Sequence, residues 1–263
     1  MTKQTDPKRR ISRRETLVLM GGAALAVTVG CGDDSPSETP AGSATATSTP
    51  QRTTAATTTA STQTATAAPV SCVVTPEQTE GPYFVDEMLN RSDITSDPTD
   101  GSVKEGVPLR LTLTVSSVNG ATCTPVAGAN VDMWHCDADG VYSDVSGGAG
   151  QPDTAGQKFL RGYQVSDQNG QVVFQTIFPG WYSGRTPHIH FKVRTNDGLE
   201  FTSQLFFDDA IIDAVYAQAP YSENGAADTT NATDNIFSSD LVVSLTEEGE
   251  GYAGAFHVGM NAA

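Results

Sequence analysis

The sequence predicts an all-β fold: an antiparallel β-sandwich with long loops and at most short helices, preceded by an export signal and a disordered tether. Three observations carry this expectation. Beyond residue 70, runs of about five to eight residues alternate apolar with polar side chains, as half-buried strands do. Turn-forming Gly, Pro, Asn and Asp separate those runs. Only Ala210–Ala217 reads as a short helix, with Asp208 or Asp209 as its cap.

In chain order, residues 1–31 come first. They hold six of the fifteen Lys and Arg, among them Ser12-Arg13-Arg14-Glu15-Thr16-Leu17, ahead of the apolar run Leu17 to Val29. That run is too short and wrongly flanked for a permanent membrane helix, and it reads as an export signal of the twin-arginine kind. Cys31 is a candidate lipid-attachment cysteine and hence the one candidate membrane link, although Thr28 stands where such sites usually carry Leu. Cleavage nearby with release of a free product is the alternative. Either way the expected location is outside the cell or on its surface.

Residues 32–70 are almost wholly Thr, Ala, Ser, Pro and Gly, too poor in large apolar side chains to offset the entropy of ordering, and read as a tether. Residues 71–263 remain as one domain of about 190 residues, long enough for a sizeable core. Beyond residue 31 the chain carries nine basic against twenty-nine acidic residues. A surface that acidic repels phosphate backbones and argues against nucleic-acid binding. It also mildly favours neutral over anionic small molecules. Cys72, Cys123 and Cys136 fall in the domain, and an oxidising compartment predicts one disulfide among them, its pairing open, with one thiol left over.

Leu109, Leu111, Leu113 and Val115 alternate with Arg110, Thr112 and Thr114 in a half-buried strand pattern. Val131, Met133 and His135 alternate with Asp132, Trp134 and Cys136. Phe159–Val165, the turn Asp167-Gln-Asn-Gly170 and Gln171–Ile177 read together as a hairpin. A strand over residues 188–193, the turn Asn196-Asp-Gly198 and Phe201–Phe207 follow. Leu241–Leu245 and Tyr252–Val258 read as a final hairpin.

The chemistry concentrates in Phe178-Pro-Gly-Trp181-Tyr182-Ser-Gly-Arg185-Thr-Pro-His188-Ile-His190-Phe191-Lys-Val193. On a strand, His188 and His190 share one face while Ile189, Phe191 and Val193 share the other. Two neutral imidazoles so spaced can hold a first-row metal, with a phenol and a guanidinium in the loop just before them. A second group, Val131-Asp-Met-Trp134-His135-Cys-Asp-Ala-Asp-Gly140-Val-Tyr142-Ser143, runs from a strand into a Gly-containing loop.

Trp-His-x-x-x-x-Gly-x-Tyr-Ser, then Pro-Gly-x-Tyr, then Arg-x-x-His-x-His-Phe, resembles the intradiol ring-cleavage dioxygenases, the catechol and protocatechuate dioxygenases. Thr79-Glu80-Gly81-Pro82-Tyr83-Phe84 resembles the Thr-Glu-Gly-Pro segment of that family. The resemblance implies that Tyr142, Tyr182, His188 and His190 ligate a non-haem Fe(III). It implies that Tyr142 stays bound, while Tyr182 is displaced and accepts a substrate proton. Arg185 would stabilise negative charge on the ring, a structural salt bridge being its alternative role, and Gln204 would stand near the iron. The implied reaction is cleavage of a catechol-type diol by dioxygen to a muconate-type diacid, part of aromatic-compound catabolism. Tyr83 and Trp181 are expected either to line the substrate cavity or to take a core or rim position.

Hairpin geometry tests the Gln204 expectation independently. A three-residue loop Asn196-Asp197-Gly198 with Gly198 left-handed pairs Thr195 with Leu199 and sets His190 opposite Gln204 on one face. A two-residue turn would turn Gln204 away. His135 is expected as a hydrogen-bonded structural histidine, His257 has no partner motif, and Tyr163, Tyr216 and Tyr252 are expected as packing residues.

A tether stands in place of the helical dimerisation segment of the catechol dioxygenases, so a dimer built on such a segment is not expected. Export points to diols met outside the cell, such as those from lignin or plant phenolics. Two rival readings are a zinc or cupin-like metalloenzyme on the His-x-His strand, which would leave both tyrosines idle, and a cell-surface binding sandwich with a decayed metal site.

Overall fold

The computed structural model describes residues 72–148 and 150–261; the signal, the tether and Cys31 lie outside these residues. Strands β1 (Pro108–Asn119), β2 (Thr122–Pro125), β3 (Asn130–Trp134), β4 (Ser146–Gly148), β5 (Gln151–Asp153), β6 (Arg161–Val165), β7 (Gln171–Ile177), β8 (His188–Arg194) and β9 (Glu200–Phe206) precede helix α1 (Asp209–Tyr216) and strands β10 (Leu245–Glu248) and β11 (Gly251–Asn261). No helix among the described residues is long and apolar enough to cross a membrane.

Two sheets face each other. One is antiparallel, in the order β6-β3-β8-β9. In the other, β1 is central: it pairs antiparallel with β7 along its first half and with β2 at its end, and parallel with β11, which carries β10 on its far edge. The expected alternation appears in β1, where Leu109, Leu111, Leu113 and Val115 are buried. They meet Val131 and Met133 of β3, Ile189, Phe191 and Val193 of β8, and Leu205 of β9 in one apolar core. Full burial of each such side chain contributes about 1.5–3 kcal/mol.

Three local expectations are corrected. β6 and β7 do not form a hairpin, because β6 joins β3 in one sheet and β7 joins β1 in the other. The turn itself is as expected. Asp167 Oδ1 accepts the N–H groups of Asn169 and Gln171, each at 2.8 Å, and Gly170 lies at φ 75° with its carbonyl accepting from Val115 N at 2.8 Å. Turn chemistry reverses the chain but does not choose a strand's partner. Second, β1 and β11 run parallel, so the sandwich is not wholly antiparallel. Third, β10 begins only at Leu245; Ser239–Leu241 is a single 3-10 turn that buries Leu241.

α1 starts at Asp209, with Asp208 as cap accepting from Ala210 N at 2.9 Å. The disulfide is Cys72–Cys123, with its Cα atoms 5.4 Å apart and the partners separated by 51 positions in sequence, leaving Cys136 free and buried. Closing a loop of that length stabilises the fold by on the order of 4 kcal/mol in the chain-entropy account.

Candidate metal centre and active site

The outer face of β8 carries the chemistry. Strand alternation turns His188 and His190 away from the apolar core, and their Nε2 atoms lie 3.1 Å apart. His188 Nδ1 is 2.7 Å from the carbonyl of Thr186. A carbonyl only accepts, so Nδ1 carries the proton and Nε2 keeps its lone pair. His190 stacks on Trp134, its cross-strand neighbour on β3, with ring centroids 5.0 Å apart and planes 8° from parallel.

The β8–β9 turn is the three-residue one. Thr195 N donates to Leu199 O at 2.9 Å, Gly198 lies at φ 89°, and His190 faces Gln204.

Both motif tyrosines reach this face. The Tyr182 hydroxyl is 3.3 Å from His188 Nε2. Tyr142 is fully buried, its ring 5.7 Å from that of Tyr182 and 6.4 Å from that of His190. Its loop is tightly laced: Tyr142 N donates to Gln151 Oε1 at 2.9 Å, and Thr154 Oγ1 donates to Tyr142 O at 2.7 Å. The motif glycine Gly140, at φ 79°, allows this approach, since a Cβ there would fall 2.0 Å from the carbonyl oxygen of Trp181.

The donor set fits a metal ion. Separations of 3.1 and 3.3 Å are those of donors that share an ion about 2.0–2.2 Å from each. The buried Tyr142 hydroxyl and His190 Nδ1 have no hydrogen-bond partner, an unfavourable arrangement that a cation at the centre would relieve at the hydroxyl. No group of three or more His, Cys, Asp or Glu converges among the described residues, so the anionic donors here are phenols.

Burial pushes Tyr182 up to about 12, with the nearby Arg185 charge opposing. It raises Tyr142 well above the usual phenol range, reinforced by Tyr182. Burial, then the Arg185 charge, pushes His188 down to about 3, and burial together with His188 holds His190 well below its ordinary value. Imidazoles are thus neutral and ready to ligate at neutral pH. The phenols need a cation to become phenolates.

Arg185 Nη2 donates to Gln204 Oε1 at 2.6 Å, Nε donates to Asp234 Oδ2 at 2.8 Å, and Nη1 lies 3.3 Å from His188 Nε2. Gln204 Nε2 donates in turn to Thr79 O at 2.9 Å, tying in the Thr79–Phe84 segment. Within that segment Gly81 sits at φ 72° where a Cβ would press to 3.2 Å from His190 Cε1, and the buried Tyr83 ring lies 4.5 Å from Tyr142 and 5.9 Å from Tyr182. The segment therefore roofs the centre.

Trp181 stands apart from this ring cluster. It packs on the main core and donates from Nε1 to Gly225 O at 3.1 Å, while sharing with Tyr182 a hollow of about 210 Å³. His135 is satisfied on both nitrogens, by Cys136 O and Thr176 Oγ1, each at 2.7 Å.

Sequence reading missed Asp234, which holds Arg185 from 49 residues away, and Arg161, buried behind the Tyr142 loop with Nε donating to Ser143 Oγ at 2.8 Å. Neither belongs to a local motif, so only folding reveals them.

A family model described as a dioxygenase matches residues 79–246. The chain belongs to the intradiol ring-cleavage dioxygenase family. Among solved structures, it is similar to an intradiol ring-cleavage dioxygenase from Tetranychus urticae at 32% identity, over 72% of this chain and 95% of that one, with a TM-score of 0.64. It is also similar to the dioxygenase domain of a dioxygenase carbohydrate-binding protein fusion from Streptomyces sp. SirexAA-E, at 29% identity, over 73% of this chain and 100% of that one, with a TM-score of 0.54. The chlorocatechol 1,2-dioxygenase of Rhodococcus opacus is 27% identical over 169 residues, 57% of this chain. The chain spans 63% of the length of that curated relative. The matched stretch contains Tyr142, Tyr182, Arg185, His188, His190 and Gln204.

Proposed function

We propose that this family member is a non-haem Fe(III) enzyme that cleaves a catechol-type diol between its hydroxylated carbons, yielding a muconate-type diacid. The observation that carries the reading is the cluster of two imidazole Nε2 atoms 3.1 Å apart, the Tyr182 hydroxyl 3.3 Å from one of them, and the buried Tyr142, whose ring lies 5.7 Å from that of Tyr182 and 6.4 Å from that of His190. Both atoms of dioxygen enter the product, so the reaction balances without an external reductant.

Tyr142, His188, His190 and Tyr182 would hold the ion, which when bound supplies Lewis acidity that favours phenolate and diolate forms and links the diol to dioxygen. The protein's residues divide the rest. Tyr142, sealed in by Gln151 and Thr154, is built to stay in place. Tyr182 is only partly buried and sits in the middle of the loop between β7 and β8, so its Oη is the group able to move and take a proton from the incoming diol. Arg185, oriented by Gln204 and Asp234, holds its Nη1 at the centre, where negative charge develops. Tyr83 and the rest of the Thr79–Phe84 roof exclude water and offer an aromatic wall to the ring.

The same reading has the protein exported, meeting its diol outside the cytoplasm. Residues 1–31 carry the signal pattern, and the Cys72–Cys123 disulfide suits an oxidising compartment. The test is direct: iron-loaded protein should be burgundy to red-brown and take up one dioxygen per catechol. Tyr182→Phe and His188→Ala should lose that uptake; equal uptake in both variants overturns the ligand assignment.

A further inference from the structure

Resting on the reading of this centre as a diol site, we propose that Asp234 is a specificity-determining residue that cancels the charge of Arg185, so that the site selects uncharged catechols over those bearing a carboxylate. Among the described residues, Arg185 is the guanidinium in contact with a site imidazole, its Nη1 3.3 Å from His188 Nε2, and it is already committed. Its Nε meets Asp234 Oδ2 at 2.8 Å with only 13% of the Arg185 side chain and 1% of the Asp234 side chain exposed. The carboxylate is fixed from behind by the backbone N–H groups of Thr186 at 2.9 Å and Ile236 at 2.7 Å. The same segment is pinned by Asn231, which accepts from Thr186 Oγ1 and donates to Phe207 O, each at 2.8 Å. Asp234 thus cannot swing away to free the guanidinium for a ligand.

No other cation is available to take its place. Apart from Arg91 and Arg161, every Lys and Arg among the described residues lies against a carboxylate oxygen. Arg91 is taken up by backbone carbonyls, and Arg161, 2% exposed, is bonded to Ser143. The loop between Tyr182 and Arg185 carries a further anion beside it, since Asp228 accepts from Ser183 Oγ at 2.6 Å and from Gly184 N at 3.1 Å. A ring carboxylate entering this site loses water and meets a guanidinium already paired with Asp234, while Arg161, which has no carboxylate partner, is 2% exposed and held by Ser143 rather than open to a ligand; this is unfavourable for a buried anion.

The iron-loaded protein tests this with a pair of ligands that differ in charge at one ring position, 3,4-dihydroxybenzoate and its methyl ester. Dissociation constants are read without oxygen from the shift of the visible absorption band. The ester should bind at least about tenfold more tightly than the acid, and kcat/KM with catechol should exceed that with the acid by at least about tenfold. Asp234→Asn keeps an acceptor for Thr186 N or Ile236 N but removes the charge. It should narrow both ratios about tenfold, chiefly through KM for the acid. Glu248→Gln, which removes one charge from the exposed pair with Arg110, should leave them within about twofold.

Tighter binding of the acid than of the ester in the unaltered protein overturns the proposal. So do ratios unchanged in Asp234→Asn when its absorption band is intact. An iron-loaded protein that takes up no oxygen with any diol overturns the functional reading as well, and so is told apart from failure of the specificity argument alone.

Discussion

The two faces of β8 are buried alike and built on opposite terms. On one, Ile189, Phe191 and Val193 enter the main apolar core. On the other, His188 and His190 sit among Trp134, Gln204, Tyr142 and Arg161, and unpaired buried atoms gather there: Trp134 Nε1, Tyr142 Oη, Arg161 Nη1 and His190 Nδ1. Each such atom costs about 1–3 kcal/mol if nothing satisfies it. One strand therefore carries stability on its inner face and stored binding capacity on its outer face. The core supplies the rigidity that holds the donors at fixed separations before any ligand arrives.

The sharpest way to break this comparison is to remove a donor. His190→Ala is expected to abolish the visible colour and lower oxygen uptake by ~1,000-fold or more, about 4 kcal/mol of transition-state stabilisation, while the protein still unfolds cooperatively. Colour and uptake unchanged would show that the outer face is not the centre. Phe191→Ala, one residue along and facing inward, should instead lower stability by about 3–5 kcal/mol in denaturant titration, with the absorption band retained in the fraction that folds.

Acid sharpens the contrast further. His188 at about 3 and His135 at about 4 are held neutral by burial, below the ordinary value of 6.5. Between those values and about 6.5 the unfolded chain binds more protons than the folded one, so stability rises with pH there. The unfolding midpoint of metal-free protein should therefore fall as pH drops from about 6.5 towards 4; Asn at both His135 and His188 should flatten that slope. The smallest expected effect is at the surface. Arg110→Ala, which removes an ion pair exposed on both sides, should change stability by under about 1 kcal/mol.

The sequence alone settled what period and motif can settle. Alternation placed Leu109 to Val115 and the two faces of β8, Asn196-Asp-Gly198 set the register that brings Gln204 opposite His190, and Asp208 began the helix. These are local properties, fixed by side-chain geometry within a few residues. Partnering was not legible. The turn at Asp167–Gly170 predicted a reversal but not that β6 and β7 would leave for different sheets, and nothing in β1 announced a parallel neighbour in β11. Nor could spacing choose Cys72–Cys123 over its alternatives or bring Asp234 to Arg185. Such contacts join segments tens of residues apart, where the whole core's packing rather than any local preference decides which surfaces meet.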